Sequence, residues 1–431
     1  MKFITLVVLS FVFSSYAKGN AFQNIRLENE ISKLSDGIKL KVSLQEILKN
    51  CKATENLKSI KVSKNKNRDT NYFEYYYEHQ IVDTSLPTVI FFPGGPGAFS
   101  IGSHLSLGKV NVVKIDPRGT GCNFDNGQLF SSEEVSTNNA AADITAIIKQ
   151  EKLSRVILYG QSYGTVLATV AAYELEKQNY HPELVVLEGV VGKAWDNWDV
   201  YLGGFVNSGN SFLNQNPNLK NLFKVEPLPL SLPSDFWAWR ISMSGNNWLS
   251  EVNELTTIAN PDSTDFDTTK RDVLFNFEYF KNSRSVDLKQ NPSFFVTQSV
   301  LCSELSKTYY STWPIGMSDA QLILDHESLL KSFDYCESKF KFSPYDSHKF
   351  NLNTPVVYFQ GETDPQTPLG GAMYHLDGQA NTRNKYFYKI RLGSHSPLQA
   401  DLTDCAPQIW EHLYSKSYDL SDVLTPDGQC L

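Results

Sequence analysis

The chain has 431 residues, 41% hydrophobic and 20% charged, which is enough apolar material for a full globular core and excludes intrinsic disorder. A net charge of -8 and a pI near 5.6 leave no basic footprint of the kind a phosphate backbone demands, so nucleic acid is not an expected partner. The length suits a catalytic domain carrying a sizeable insertion.

The chain opens with Lys2, the apolar run Phe3 to Phe13, and then Ser15-Tyr16-Ala17, a small-x-small cleavage pattern. Residues 1–17 therefore read as a secretory signal peptide. No later segment approaches the roughly 20 apolar residues of a transmembrane helix. No cysteine lies near the cut to carry a lipid, the first being Cys51. An exported protein, periplasmic or secreted and without a membrane anchor, is expected. The six cysteines, Cys51, Cys122, Cys302, Cys336, Cys405 and Cys430, are even in number and lack zinc-ligand spacing, which predicts disulfides and no metal. Proximity in the chain favours Cys302 with Cys336, Cys405 with Cys430, and Cys51 with Cys122, among fifteen possible pairings.

From Asn20 to Asp83 the sequence is polar and tyrosine-rich, and the alternation around Tyr72 to Tyr77 predicts antiparallel strands. The basic patch Lys61 to Asp69 reads as a solvated loop. Thereafter come short β-branched runs, each stopping at Gly, Asp or Pro: Thr88 to Phe92, Val110 to Ile115, Arg155 to Tyr159, Leu184 to Leu187, Pro355 to Phe359 and Lys385 to Ile390. Such runs predict parallel strands buried on both faces. Helical segments at Ala140 to Gln150 and Thr165 to Gln178 make the order β-α-β, hence a doubly wound α/β sheet. The alternation lapses between Lys193 and Asn351. There the chain is rich in Asn, Ser, Phe and Trp, including Trp195, Trp198, Trp237, Trp239, Trp248 and Trp313. A mostly helical cap over residues 193–350 is expected, splitting the core into 18–192 and 351–431. Most of these tryptophans should pack the cap, with one or two lining a substrate pocket.

Gly160-Gln161-Ser162-Tyr163-Gly164 follows one predicted strand and precedes one predicted helix, the setting of a nucleophile elbow. A serine in that strained turn projects its hydroxyl above the sheet, so Ser162 is the candidate nucleophile. Such a serine needs a base, and the base an orienting acid, in the chain order serine, acid, histidine. After the strand ending at Phe359, Gly361 to Pro368 offers Asp364, with Glu362 as competitor; Pro365 would fix the turn that presents Asp364. After the last strand, Leu392-Gly393-Ser394-His395-Ser396-Pro397 offers His395 as base, whereas His375 and His412 fall in helix-like stretches. Oxyanion donors are expected from the backbone of Gly95, with Gly94 as the alternative, in Pro93-Gly94-Gly95-Pro96-Gly97, and from Tyr163.

These motifs together resemble the proline iminopeptidase and tripeptidyl aminopeptidase family of α/β-hydrolase serine peptidases. Pro93 to Gly97 is similar to that family's HGGPG loop, Asp116 to Gly121 to its DxRGxG segment, Gly160 to Gly164 to its GxSYG elbow, and Gly361 to Pro368 to its GxxDxxTP loop. The resemblance covers roughly Pro87 to Val191 and Pro355 to Pro397, and departs at Pro93, where the family has histidine, and at Ser396, where it has glycine. It implies an α/β-hydrolase fold with the cap inserted before the acid-bearing strand. It also implies cleavage near a free peptide N-terminus, releasing proline or a di- or tripeptide without a cofactor, with acids binding the substrate ammonium. Glu188, at a strand's carboxyl end, is a candidate for that contact, a buried structural carboxylate being the other reading. Arg118 and Asp116 read as loop-fixing residues. A carboxylesterase or lipase with the same triad is the alternative activity, and a noncatalytic binding protein on the same shell the remote one. Because the base acts unprotonated, activity is expected to rise from acid toward neutral pH.

Overall fold

The computed structural model describes residues 51, 54–65, 68–105, 107–124, 130–196, 198–223, 228–232, 234–283, 292–307, 317–318, 323–324, 336 and 340–431. The expected signal peptide lies outside the described residues. An antiparallel hairpin, β1 (Leu57–Asn65) and β2 (Arg68–Gln80), opens the described fold. The patch Lys61 to Asp69 is thus mostly strand, not the expected solvated loop. Its polar residues suit an edge strand, which has one neighbour and an outer side facing water, while Val62 turns inward.

The strands β3 (Thr88–Phe92), β4 (Asn111–Ile115), β5 (Val156–Gln161), β6 (Leu184–Glu188), β9 (Val356–Gly361) and β10 (Lys385–Ile390) complete one sheet. Its order is β1-β2-β4-β3-β5-β6-β9-β10, parallel from β4 onward. The swap of β3 and β4 puts neighbouring loops on opposite sides at the carboxyl end of β3, the point at which open α/β sheets bind ligands. This order, eight strands with only the first pairings antiparallel, is that of the α/β-hydrolase fold. β3, β4, β5, β6 and β9 are buried along their whole length, which explains their largely continuous apolar sequence. β10, also expected to be buried on both faces, is instead an edge strand with one neighbour, and only Ile390 in it is buried.

Two apolar layers sandwich the sheet. On one face α1 (Thr137–Glu151) and α2 (Tyr163–Glu176) pack Ile144, Ile147, Val166 and Val170 against Ile90, Leu158 and Val185. On the other, Trp410 and Ile409 of a C-terminal helix (Ala406–Tyr414) cover Val89, Tyr159 and Val186. Between β6 and β9 the described chain is helical, with α3 (Trp198–Gln215), α4 (Pro217–Leu222), α5 (Ser234–Ser242), α6 (Trp248–Ile258), α7 (Phe266–Ser283) and α8 (Pro292–Val300). A two-stranded ribbon, β7 (Met317–Ser318) and β8 (Ile323–Leu324), is the exception. Trp237 and Trp248 are buried in this layer, Trp195 borders a cavity described below, and the side chains of Trp198, Trp239 and Trp313 lie outside what is described.

Three disulfides, Cys51–Cys122, Cys302–Cys336 and Cys405–Cys430, take the pairing that chain proximity favours. Disulfides persist in oxidising compartments, consistent with export. Among the described residues no helix is long and apolar enough to cross a membrane.

Candidate active site

Three loops at the carboxyl ends of the parallel strands build the site. At the first, β5 runs into Ser162, which has φ 55° and ψ -126°, outside the regions a side chain prefers, and α2 begins at the next residue. Holding a serine there costs on the order of 1–3 kcal/mol, which the surroundings must offset. They do so by close packing that admits only glycine: a Cβ on Gly160 would lie 2.3 Å from Gly164 O, and one on Gly164 2.1 Å from Phe92 O. Ser162 N–H donates to Glu188 O at 2.9 Å, and Thr165 N–H to Ser162 O at 2.8 Å. Tyr163, as the first residue of α2, has a backbone N–H that the helix itself does not use. Its hydroxyl is 2.7 Å from Thr137 Oγ1 at the start of α1.

The second loop follows β9. Asp364 Oδ2 lies 2.9 Å from His395 Nδ1, both side chains being almost wholly buried. The carboxylate also accepts from Thr367 Oγ1 at 2.6 Å, Gln366 N–H at 2.8 Å, Thr367 N–H at 3.1 Å and Gln360 Nε2 at 3.2 Å. Burial works against its charge, yet the facing imidazole and the Thr367 donors outweigh that and hold its pKa below the ordinary carboxylate value. Glu362, the competitor, points outward to Lys389 Nζ at 2.9 Å, far from any histidine contact.

The third loop follows β10 and carries His395. Its Nε2 is buried and has no hydrogen-bond partner among the described residues, Ser162 Oγ included, while Nδ1 faces Asp364. Asp401 grips the loop from one side, accepting from Ser394 N–H at 2.6 Å and Ser394 Oγ at 2.8 Å.

A narrow cleft with ≈ 250 Å³ of free space, open solvent included, is lined by Gly95, Ser162, Tyr163, Val191, Trp195, Tyr201, Leu305, Gln366 and Thr367. It joins the serine, both expected oxyanion-donor residues and the threonine that touches Asp364. Trp195 and Tyr201 meet edge to face at 4.7 Å, and Trp195 N–H donates to Leu305 O at 2.7 Å. Gly95 precedes a cis peptide bond to Pro96, whose carbonyl accepts from Thr297 Oγ1 on α8, so the helical layer holds the glycine loop directly.

Glu188 does not border the cleft. It is fully buried, its carboxylate accepts from Tyr159, Gln161 and Leu398, and burial lifts its pKa to about 7 against those bonds. The geometry matches the structural alternative rather than the ammonium contact: the carboxylate is fully buried, accepts three hydrogen bonds from its own sheet and the histidine loop, and is not among the cleft-lining residues. Asp116 accepts from Ser100, Ile101 and Cys122 N–H, and Arg118 forks onto Asp143, both fixing loops as expected. His375, in a helix (Leu369–Gly378) as its sequence setting predicts, is wholly buried against Thr169 and Tyr358. Thr367 and Asp401 received no role from the sequence. Thr367 was visible beside Asp364, but only the folded loop turns its hydroxyl onto the carboxylate. Among the described residues no group of His, Cys, Asp or Glu side chains is arranged to hold a metal ion.

No protein-family model matches the sequence, and no curated protein matches it. Among solved structures it is similar to a serine hydrolase of Cycloclasticus zankles (10% identity, 84% of this chain and 99% of that one, TM-score 0.45). It is also similar to a putative lipase of Acinetobacter baumannii (13% identity, 87% and 97%, TM-score 0.43) and to a proline iminopeptidase of Mycobacterium smegmatis (12% identity, 85% and 100%, TM-score 0.40). The fold assignment rests on the sheet order and the elbow; the substrates of these proteins carry over no further than that fold.

Proposed function

We propose that the protein is an exported serine hydrolase acting by acyl transfer, and more specifically an aminopeptidase that releases proline or a di- or tripeptide from peptides with a free N-terminus. The observation that carries the hydrolase reading is one continuous arrangement. Ser162, in a strained turn, faces a cleft shared with Gly95, Tyr163 and Thr367, Thr367 bonds Asp364, and Asp364 bonds His395. Neutral His395 takes the Ser162 proton at Nε2 as Oγ attacks the carbonyl carbon, and Asp364 stabilises the resulting imidazolium. The carbonyl oxygen, now negative, receives the N–H groups of Gly95 and Tyr163. Collapse expels the amine, which takes the proton from His395, and water repeats the sequence on the acyl-enzyme.

The peptidase reading is supported by the four motifs in family order. An ester reading has its own support, since none of the described residues lining the cleft carries a charged side chain to meet an ammonium. A panel of a prolyl and a tripeptidyl anilide, each free and N-acetylated, beside a short-chain p-nitrophenyl ester, separates them. Cleavage lost on acetylation supports the aminopeptidase; preference for the blocked anilides or the ester overturns it. Fluorophosphonate labelling tests the enzyme itself: the wild type should label and Ser162→Ala should not, whereas an unreactive wild type leaves only a binding protein.

A further inference from the structure

We propose that Glu188 is a positioning residue that locks the nucleophile turn and the histidine loop into one unit. The inference rests on the reading of Ser162 as nucleophile. Glu188 ends β6, between the two loops, and no part of it is exposed. Its Oε1 accepts from Tyr159 Oη at 2.5 Å and Gln161 Nε2 at 3.0 Å, both on β5, with Gln161 immediately before Ser162. Its Oε2 accepts from Leu398 N–H at 2.8 Å, three residues beyond His395. Its main-chain oxygen accepts from Ser162 N–H at 2.9 Å. One residue therefore bonds the nucleophile's own backbone, the residue preceding it and the loop of the base. Gln399 Nε2 reaches Tyr159 Oη at 3.2 Å and closes the network from the loop side.

The residue after it extends the same junction. Gly189 has φ +58°, and a Cβ there would lie 2.4 Å from His395 O and 3.0 Å from its ring, so the imidazole packs directly on the Glu188–Gly189 backbone. With Asp401 holding Ser394 on the other side, two carboxylates, one buried and one near the surface, grip the histidine loop before and after His395.

A carboxyl group suits this place because donors arrive at both of its oxygens, Leu398 N–H at one and Tyr159 Oη and Gln161 Nε2 at the other. Glutamine offers one oxygen and one NH₂; Leu398 N–H can only donate, so with the oxygen kept there the NH₂ faces Tyr159 and Gln161, whose side chains must turn to accept it. Glu188→Gln keeps size and shape while disturbing the elbow side of the junction.

Fluorophosphonate inactivation of the full, disulfide-bonded protein reads the consequence without knowing the substrate. The saturating rate constant, kinact, reports the alignment of Ser162, His395 and the oxyanion donors, and KI reports binding. Glu188→Gln is expected to lower kinact about tenfold to a hundredfold with KI little changed, the size of effect that a misalignment of about 1 Å produces. The control is Glu176→Gln. Glu176 is a buried carboxylate that accepts from Asn353 and Thr354 N–H at the far end of α2. It should lose thermal stability yet keep the wild-type kinact. Thermal midpoints of both variants establish that each is folded. The proposal is overturned if folded Glu188→Gln reacts at the wild-type kinact, if only KI changes, or if Glu176→Gln slows reaction equally. A wild type that does not react overturns the underlying assignment of Ser162 instead.

Discussion

Thr367 stands where the cleft wall meets the buried Asp364–His395 hydrogen bond: its hydroxyl donates to Asp364 Oδ2 at 2.6 Å and lies 3.3 Å from His395 Nδ1, while the residue itself borders the cleft. A hydrogen bond to a charged group contributes roughly 1.5–3 kcal/mol, so Thr367→Val should slow acylation about tenfold or more, and Thr367→Ser should restore most of it. Single-turnover kinetics with an activated ester check this. The choice between the two acids of the same loop has an equally direct test. Asp364→Asn should cost on the order of 10⁴ in kcat, as loss of the orienting acid does in such triads, and Glu362→Gln should stay within about twofold. Both side chains sit two residues apart in one turn, so sequence spacing could not separate them with certainty. The fold separates them by burial, one against His395 and the other against Lys389 at the surface.

At the level of elements, the helical layer is fastened to the sheet domain at points next to the site. Glu304 lies in a π-helical turn (Leu301–Leu305) that follows α8, and accepts from Thr137 N–H at 2.9 Å and from the Thr137 hydroxyl. Ser136 makes no side-chain cap, so Glu304 caps α1 from a distant part of the chain, where a negative charge suits the helix dipole. Burial raises its pKa against the Thr137 bonds. Because Thr137 also meets the Tyr163 hydroxyl, the cap adjoins the residue whose N–H is assigned to the oxyanion. Glu304→Ala should destabilise the protein by about 1–2 kcal/mol, visible as a lower urea midpoint, and should increase hydrogen exchange in the first turn of α1. A glutamate 167 residues from the helix it caps is not legible in sequence. The central strands were legible, because a strand with no face toward water is mostly apolar along its length rather than at alternate positions, whereas the edge strand β10 has a similar run yet is only partly covered. The basic stretch from Lys61 was not, since charge marks a solvated edge strand and a loop alike.

For the whole molecule, buried carboxylates set the response to pH. Asp116 is raised to about 6 and Glu188 to about 7, each by burial against its hydrogen bonds. A carboxyl whose folded pKa is raised holds its proton more tightly in the native state, so its stabilisation is complete below the ordinary value near 4 and disappears as pH rises through the folded value. Asp364 has the opposite sign: its contribution is present above the ordinary value and lost on acidification. The thermal midpoint should therefore fall between about pH 4 and pH 7, and Glu188→Gln should flatten that fall by an amount on the order of 3 kcal/mol, measured by calorimetry across the range. Reducing the Cys51–Cys122 bridge, which spans 71 residues, should cost roughly 4 kcal/mol if its effect is on the unfolded chain. The central strands, the elbow and the chain order of Ser162, Asp364 and His395 can be read from the amino acids alone, because these depend on local periodicity and on steric demands written into adjacent residues. Their surroundings come from folding: Thr367 meets Asp364, Glu304 caps α1, and Glu188 turns inward to join two loops rather than toward the cleft. Those outcomes depend on contacts between residues up to 210 positions apart, as for Glu188 and Leu398, and on how fully each group is removed from water.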